Sequence, residues 1–471
     1  MRQPIPMPSP AQVDRAIRLS YAQMMLGAVF AASTGGMFLI GFAMKLGADN
    51  VLLGLISTIP ALFVVFQFLA AWLVERGISR KRLTVGFSLL VPASWGLIAA
   101  IPFFGASLSM AGRFAILIGV ISLVTVANQF AGNARGSWIG ELVPHDRRGR
   151  FFGYCAMFGG IVGAIFAVGE GRFLDFVQSR GLLAFTALFF FGALFGLAGA
   201  ALHLPQPDCP LPGDGVRTPF LGHLRQTFRN RALISLAVVH AVIAMGGIAG
   251  PFNPAYCLRD VGLSYFGLGL LNAVATVFAL AVAPFWGKLV DRFGCRPCLI
   301  LACLVMAPMG LVWIFIPPGD PTRAYWLLPW TNAIAGAFGA GIGVAIQTLL
   351  YKNTPPEGRS IQFAAYGTFV TLVAAPMPVL GGWLVDHLEQ ARFHVDLRIT
   401  FYCWIGLMFA AGLLAIRLKE PGSTPARHLV FRHFPSLVTS WLRPALPAIF
   451  APLSWLEDLR GNSGNDDKND Q

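Results

Sequence analysis

Apolar residues gather into twelve long runs separated by short polar or charged breaks. The runs fall near residues 19–44, 51–74, 83–104, 112–140, 149–170, 182–204, 231–256, 263–290, 298–317, 324–351, 360–385 and 399–418. Most reach or exceed the ~18 residues that a helix needs to cross a bilayer core of about 30 Å. The pattern predicts an all-α polytopic membrane protein with twelve transmembrane helices. Between the sixth and seventh runs lies the longest internal polar stretch, 205–230, rich in Pro, Gly and Arg. It divides the chain into a six-helix bundle over 1–204, a linker over 205–230 and a second six-helix bundle over 231–420. A tail follows over 421–471. Within that tail, Pro435, Pro444, Pro447 and Pro452 argue against a thirteenth span and for a segment lying on the membrane surface; the last residues read as polar and disordered.

The two bundles repeat each other. Ala71 to Arg76 aligns with Gly287 to Arg292, an offset of 216 residues. Pro144 to Asp175 spans 31 positions, as does Pro355 to Asp386, an offset of 211 that also pairs Gly171 with Gly382. Such duplication predicts two pseudo-equivalent bundles with a binding site between them.

Composition narrows the class. Hydrophobic residues make up 56% of the chain and charged ones 12%, about half the usual complement of a soluble protein. A soluble enzyme, a disulfide scaffold and a disordered chain are excluded. The net charge of +13 would suggest nucleic acid in a soluble protein, but in a chain of spans it marks cytoplasmic loops, so no nucleic-acid partner is expected. Of the 35 Lys and Arg residues, 26 fall on the side that holds both termini and 8 on the other, with Arg135 inside a span. Both termini are therefore expected in the cytoplasm, with the basic loops against anionic lipid of a bacterial inner membrane. No cleavable signal peptide is read at the start, where Pro-rich polar residues precede the first run. Seven scattered cysteines imply no disulfide framework. The Cys295-x-x-Cys298 pair lacks the further ligands that zinc requires, so no metal is expected. The run GAFGAGIG at 336–343 sits inside a span with no preceding strand and reads as close helix packing. With no ATP-binding loop and no catalytic constellation, neither enzyme activity nor a cofactor is expected.

Gly287-Lys288-Leu289-Val290-Asp291-Arg292-Phe293-Gly294-Cys295-Arg296 resembles the loop signature of the major facilitator superfamily, Gly-x-Leu-x-Asp-Arg-x-Gly-x-Arg. The first-half copy is degraded: Ala71 stands for the leading Gly, Glu75 for Asp, and Gly77 arrives one position early. Pro144 to Arg150 and Pro355 to Arg359 are similar to the family's short loops after helices four and ten. The resemblance implies two six-helix bundles and a secondary or facilitative transporter of a small solute, working by alternating access as a monomer. It further implies that helices one, four, seven and ten border a central cavity. Gln23, Asn128, Gln129, Asn133, Arg135, His240, Asn332 and Gln347 are the polar candidates there, since polar groups inside a span carry a burial cost. A non-transporting sensor or assembly factor on the same scaffold and a lipid or amphiphile transporter are the competing readings.

The signature charges have a physical rationale of their own. An acid at the end of one helix is attracted to the unpaired N–H groups at the start of another. Asp291 is thus expected to latch near Gly149, and Glu75 near Ser360. Arg76, Arg148, Arg292, Arg296, Glu357 and Arg359 complete the network, and Gly287 and Gly294 allow the tight turn. Alternatively, these charges serve topology alone. Arg135 has no acid three or four residues away on its own helix, because positions 131, 132, 138 and 139 are Ala, Gly, Trp and Ile. Its guanidinium suits a carboxylate or phosphate on the solute; a lipid headgroup or an acid on another helix are the other partners open to it.

Overall fold

The computed structural model describes residues 8–76, 78–104, 108–144, 147–209, 229–354, 359–390, 396–420, 422–425 and 429. Twelve helices are long and apolar enough to cross a membrane. They are α1 (Pro10–Lys45), α2 (Asn50–Val74), α3 (Arg80–Phe104), α4 (Met110–Leu142), α5 (Arg148–Phe176) and α6 (Leu182–Ala201). The second set is α7 (Arg231–Val261), α8 (Tyr265–Phe293), α9 (Cys295–Phe315), α10 (Pro321–Asn353), α11 (Ile361–Leu388) and α12 (Arg398–Ala415). No strand occurs among the described residues. Most of the tail and of the interhelical linker lies outside the description, so the surface-lying segment expected there does too.

The largest difference from the sequence reading is at the start of the first span. Helix α1 begins at Pro10, nine residues before its apolar run, because Ser9 and Gln12 form a capping box and Pro10 occupies the first turn. Several spans are interrupted where glycine or proline weakens the backbone ladder. Helix α1 breaks at Gly35, and the next residue, Gly36, takes φ +50, a left-handed conformation that favours glycine. Helix α7 passes through a 3₁₀ turn at Gly246–Ala249 and a π turn at Tyr256–Val261 around Pro251 and Pro254. Helix α9 ends as a 3₁₀ run from Ala307, beside Pro308. Such breaks persist in spans where neighbouring helices re-satisfy the freed groups.

We call the face where α1 begins and α12 ends the near face, and its opposite the far face. The bundles meet along two seams, α2 with α11 and α5 with α8, and toward the far face both seams are shut. The same device closes each. A Cβ added to Gly171 of α5 would overlap the Tyr265 carbonyl of α8, and one on Gly382 of α11 would overlap the Asn50 carbonyl of α2. Gly54 meets the Pro378 carbonyl and Gly269 the Ala167 carbonyl in the same way. Only residues without side chains permit backbones this close. Toward the near face the α5–α8 seam parts: a Cβ on Gly149 or Gly153 of α5, or on Gly287 of α8, meets nothing within 4 Å.

Candidate functional site

The functional region follows from that asymmetry, a closed far face above a space that widens toward the near face. Helices α4 and α10 expose equivalent residues. Asn128, Gly132 and Gly136 of α4 are exposed at four-residue spacing. Their counterparts 211 residues on are Gly339, Gly343 and Gln347 of α10, of which Gly343 and Gln347 are exposed and Gly339 is half-buried. A stripe of glycines with single amides leaves room and a few hydrogen-bonding groups, the usual make-up of a small-molecule cavity. Deeper, beneath the closed seams, a cavity of about 360 Å³ lies between α1, α5 and α8. Alanines and glycines form most of its wall, among them the α1 break at Gly35 and Gly36. Its polar groups are Asn272, whose amide reaches the Met37 sulfur at 3.8 Å, and Thr276, which bonds back to the Asn272 carbonyl at 2.9 Å.

The candidates from the sequence are dispersed around this space. Asn128 and Gln347 are exposed on these two stripes, while Gln129 and Asn133 are half-buried on α4. His240 Nδ1 lies 2.9 Å from the Tyr366 hydroxyl, joining α7 to α11 within one bundle. The Asn332 amide donates to the Leu328 carbonyl of its own helix at 2.9 Å. Gln23 keeps a buried Oε1 without a hydrogen-bond partner among the described residues. Arg135 has a buried Nε with no such partner; its charge reaches Cys155 of α5 and His203 beyond α6. None of these eight residues lines the 360 Å³ cavity.

The signature residues of the near face are likewise separate. Asp291 is exposed, with no hydrogen bond or ion pair to a described residue, and Arg292 lies 5.2 Å over the Phe293 ring. Arg76 stacks on Trp72 at 3.8 Å, and Arg148 donates from Nε to the Val143 carbonyl at 3.0 Å. Gly294 makes the α8–α9 turn at φ +97. Glu357 lies outside the described residues, as do the side chains of Glu75, Arg359 and Ser360.

Acids do sit on helix starts, but at other places. On the far face Asp175, at the end of α5, accepts the N–H groups of Tyr265 at 3.0 Å and Phe266 at 2.9 Å, the first residues of α8. Its repeat equivalent Asp386, on α11, accepts the Asn50 amide at the start of α2 at 2.6 Å. Arg259 Nη1 donates to Asn50 Oδ1 at 3.3 Å. These are contacts between bundles. Near-face acids act within a bundle. Asp208, beyond α6, accepts the Ser79 hydroxyl at 2.7 Å, just before α3. Glu420, beyond α12, accepts the N–H groups of Cys295 at 3.1 Å and Arg296 at 2.8 Å, which open α9, and the Lys352 ammonium at 2.9 Å. Burial pushes the Glu420 carboxyl up, but the Arg296 N–H, Lys352 and the Cys295 N–H outweigh it and hold it below its usual value.

The equal 31-residue spacing in the two halves already singled out Asp175 and Asp386 as equivalents. What it did not carry was their partners, 90 and 336 residues away in the chain. A further side chain missed is Gln67 of α2, whose amide donates to Thr368 of α11 at 2.7 Å across the second seam.

Among the described residues no group of three or more His, Cys, Asp or Glu side chains gathers to hold a metal. A family model described as Major Facilitator Superfamily matches residues 236–456. An efflux pump of Dothistroma septosporum, dotC, is 27% identical over 191 residues, 40% of this chain and 29% of that protein. The class E tetracycline resistance protein of Escherichia coli is 30% identical over 197 residues, 40% of this chain and 44% of that one. The chain thus aligns with less than half the length of either. A maltose permease of Geobacillus stearothermophilus is 26% identical over 336 residues, 68% of this chain and 76% of the permease. Among solved structures, the nucleoside transporter NupG superposes with a TM-score of 0.62 at 13% identity, covering 86% of this chain and 98% of that one. A bacterial homolog of the human lysosomal transporter Spinster, in an inward-facing and unoccupied conformation, superposes with a TM-score of 0.60 at 16% identity, covering 87% and 96%. Twelve spans in two repeated bundles, an intact loop signature at Gly287–Arg296 and these matches agree: the chain is an integral multi-pass membrane protein with the fold of these transporters, and its second half matches the Major Facilitator Superfamily model.

Proposed function

We propose that this chain carries a small solute across the membrane by alternating access, as a monomer in a bacterial inner membrane with its near face in the cytoplasm. The observation that supports the reading is the seam geometry. Both bundle contacts are tight and capped on the far face, whereas the α5–α8 contact opens toward the near face, one half of an access cycle. A sensor or assembly scaffold has no need of a seam closed at one end by bonds that a rocking motion can exchange. The orientation rests on the charge split of 26 to 8. For the solute we propose an anion, held by Arg135 with Asn128, Asn133 and His240 as accessory groups. Arg135 is suited to it because its buried Nε has no hydrogen-bond partner among the described residues and no acid lies three or four residues away on its own helix. Glu75, Asp291 and their neighbouring arginines are proposed as the near-face latch of the opposite state, formed when that face closes.

The test is access to the cavity from both sides. A single cysteine replacing Thr276, in a cysteine-free background in sealed vesicles, is probed with an impermeant thiol reagent applied to one side at a time. Reaction from both sides, in proportions that shift when a metabolite panel is screened, is expected. Reaction from one side only, unmoved by every solute that stabilises the protein thermally, would end the transport reading. Cysteines at Asp214 and Ser107 check orientation: in intact cells only the one at Ser107 is expected to react.

A further inference from the structure

A second cavity, of about 510 Å³, lies away from the inter-bundle space, between α5 and α6 of the first bundle. Its volume is in the range of small-molecule pockets, roughly 300–1,000 Å³. Ile165, Phe166 and Phe173 of α5 and Leu188 and Phe191 of α6 form its walls. Ile165 is 63% exposed, Phe173 40% and Phe191 37%, so the groove opens sideways onto the hydrocarbon. Two small residues, Gly169 and Ala187, make the room.

One group does not belong in such a wall. Glu170 lines the groove, is only 5% exposed, and sits six residues inside the far-face end of α5. One carboxylate oxygen accepts the hydroxyl of Ser33, which reaches it through the gap left by Gly192 of α6. The other, Oε2, is buried and has no hydrogen-bond partner among the described residues. No cation compensates it from the packed elements. Helix α6 carries no charged side chain. On α1 the nearest cationic residue toward the far face is Lys45, twelve positions beyond Ser33. Arg172, two residues on, lies 5.9 Å over the Phe266 ring in a separate far-face cavity.

We propose that this groove is a second ligand site that takes an aromatic amine from the bilayer, its rings between Phe166, Phe173 and Phe191 and its ammonium against Glu170 Oε2. An apolar wall supplies binding area, and phenyl faces attract a cation. The single uncompensated carboxylate selects charge, because an ammonium both pairs with it and donates the bond that Oε2 lacks. A metal ion is a poor occupant, since one carboxylate falls far short of the six or so oxygens it needs. A neutral lipid chain fills the walls but leaves Oε2 unpaired. The site does not depend on the transport reading.

The experiment compares 1-naphthylmethylamine with 1-naphthylmethanol, near-isosteric probes that differ in charge. Binding to the purified full-length protein in detergent is measured by equilibrium dialysis against protein-free micelles. The amine is expected to bind about tenfold or more tightly than the alcohol, as a charge-assisted bond implies. Glu170→Gln should erase that difference while leaving the alcohol unchanged. Ala187→Phe, which fills the groove without touching Glu170, should weaken both. Equal binding of the two probes to the unaltered protein overturns the proposal. So does amine binding that survives Ala187→Phe, which would place the amine elsewhere, the inter-bundle cavity included. If Glu170→Gln fails to fold, the probe comparison and Ala187→Phe still decide.

Discussion

Asp175→Asn isolates the bond that holds the α5–α8 seam shut. In the closed far face both carboxylate oxygens are used, on the N–H groups of Tyr265 and Phe266. Asparagine retains one acceptor oxygen and loses the charge, so one of two bonds to the start of α8 disappears and the other weakens. A bond to a charged group contributes about 1.5–3 kcal/mol, and the attraction of a charge to a helix start about 0.3–1. A net loss near ~2 kcal/mol shifts a two-state equilibrium roughly thirty-fold toward an open far face. The start of α8 itself should survive, because Ser264 caps it independently by accepting the Gly267 N–H at 3.0 Å. A conformational effect can therefore be separated from a folding defect. The assay is the labelling rate of a cysteine at Thr276, under the seam, by an impermeant thiol reagent added at the far face. The rate is expected to rise by an order of magnitude or more in Asp175→Asn. Asp386→Asn should raise it less, because Asp386 meets a side-chain amide and not two backbone donors. A folded Asp175→Asn protein with unchanged labelling would show that glycine packing alone closes the seam.

Three further outcomes are expected. His203 is 1% exposed, and burial, then the Arg135 charge, push its pKa down to about 4 although Gln206 beside it pulls upward. The unfolded chain takes up a proton near pH 6.5 and the folded one does not until about 4. Stability is therefore full above about 6.5 and falls by up to about 3 kcal/mol as pH drops toward 4; melting temperature against pH should flatten over that window in His203→Phe. Glu420→Gln removes the Lys352 ion pair and half the cap of α9, lowering stability by about 1–3 kcal/mol in thermal melts. Since the Glu420 carboxyl is held below its usual range, its contribution is present at neutral pH and is lost only as pH falls through that lowered value. For Arg135, transport of the solute identified by the panel is expected to survive in part in Arg135→Lys and to fail in Arg135→Ala at matched expression; normal transport by the alanine variant would remove the case for an anion.

Twelve spans and their repeat were legible because span length and apolarity are local properties of the chain, and the bilayer imposes them on every segment alike. The shape of the closed seams was half legible. Gly171 and Gly382, Asp175 and Asp386 stand out as equivalents by spacing, yet their contacts depend on which residues the opposite bundle brings to them. The charge-dense signature drew attention to Asp291, which is exposed and without a partner among the described residues, because an acid near a helix start exists on both faces and spacing does not say which face is shut. The start of α1 was misplaced for a different reason: the Pro-rich leader hides a capping box that needs no apolar run. Glu170 stands only six residues before the end of α5, a place where a carboxylate in a sequence reads as interfacial. Its burial comes from Ser33 and Gly192 on neighbouring helices, which no local pattern encodes.

One device, an acid set on the start of a helix, recurs at Asp175, Asp386, Asp208 and Glu420, and its placement divides the molecule into fixed and exchangeable parts. Asp208 and Glu420 join elements of the same bundle: the chain leaving α6 is tied to the start of α3, and the chain leaving α12 to the start of α9. Rotating one bundle against the other leaves both bonds intact. Asp175 and Asp386 instead cross between bundles, so any motion that opens the far face must break them. Because the two crossings are repeat equivalents, they load the two seams together, and a rigid rocking of one bundle against the other about an axis in the membrane plane releases both in one step. Closing the near face then has to supply comparable bonds, or the far face would stay shut. We propose Asp291 and its neighbouring arginines for that role: Asp291 has no partner among the described residues, while Arg76, Arg148 and Arg292 rest on Trp72, the Val143 carbonyl and Phe293. We therefore propose that the signature at Gly287–Arg296 acts in the opposite state, as the latch of a closed near face, while the two aspartates hold the far face shut in the state described here.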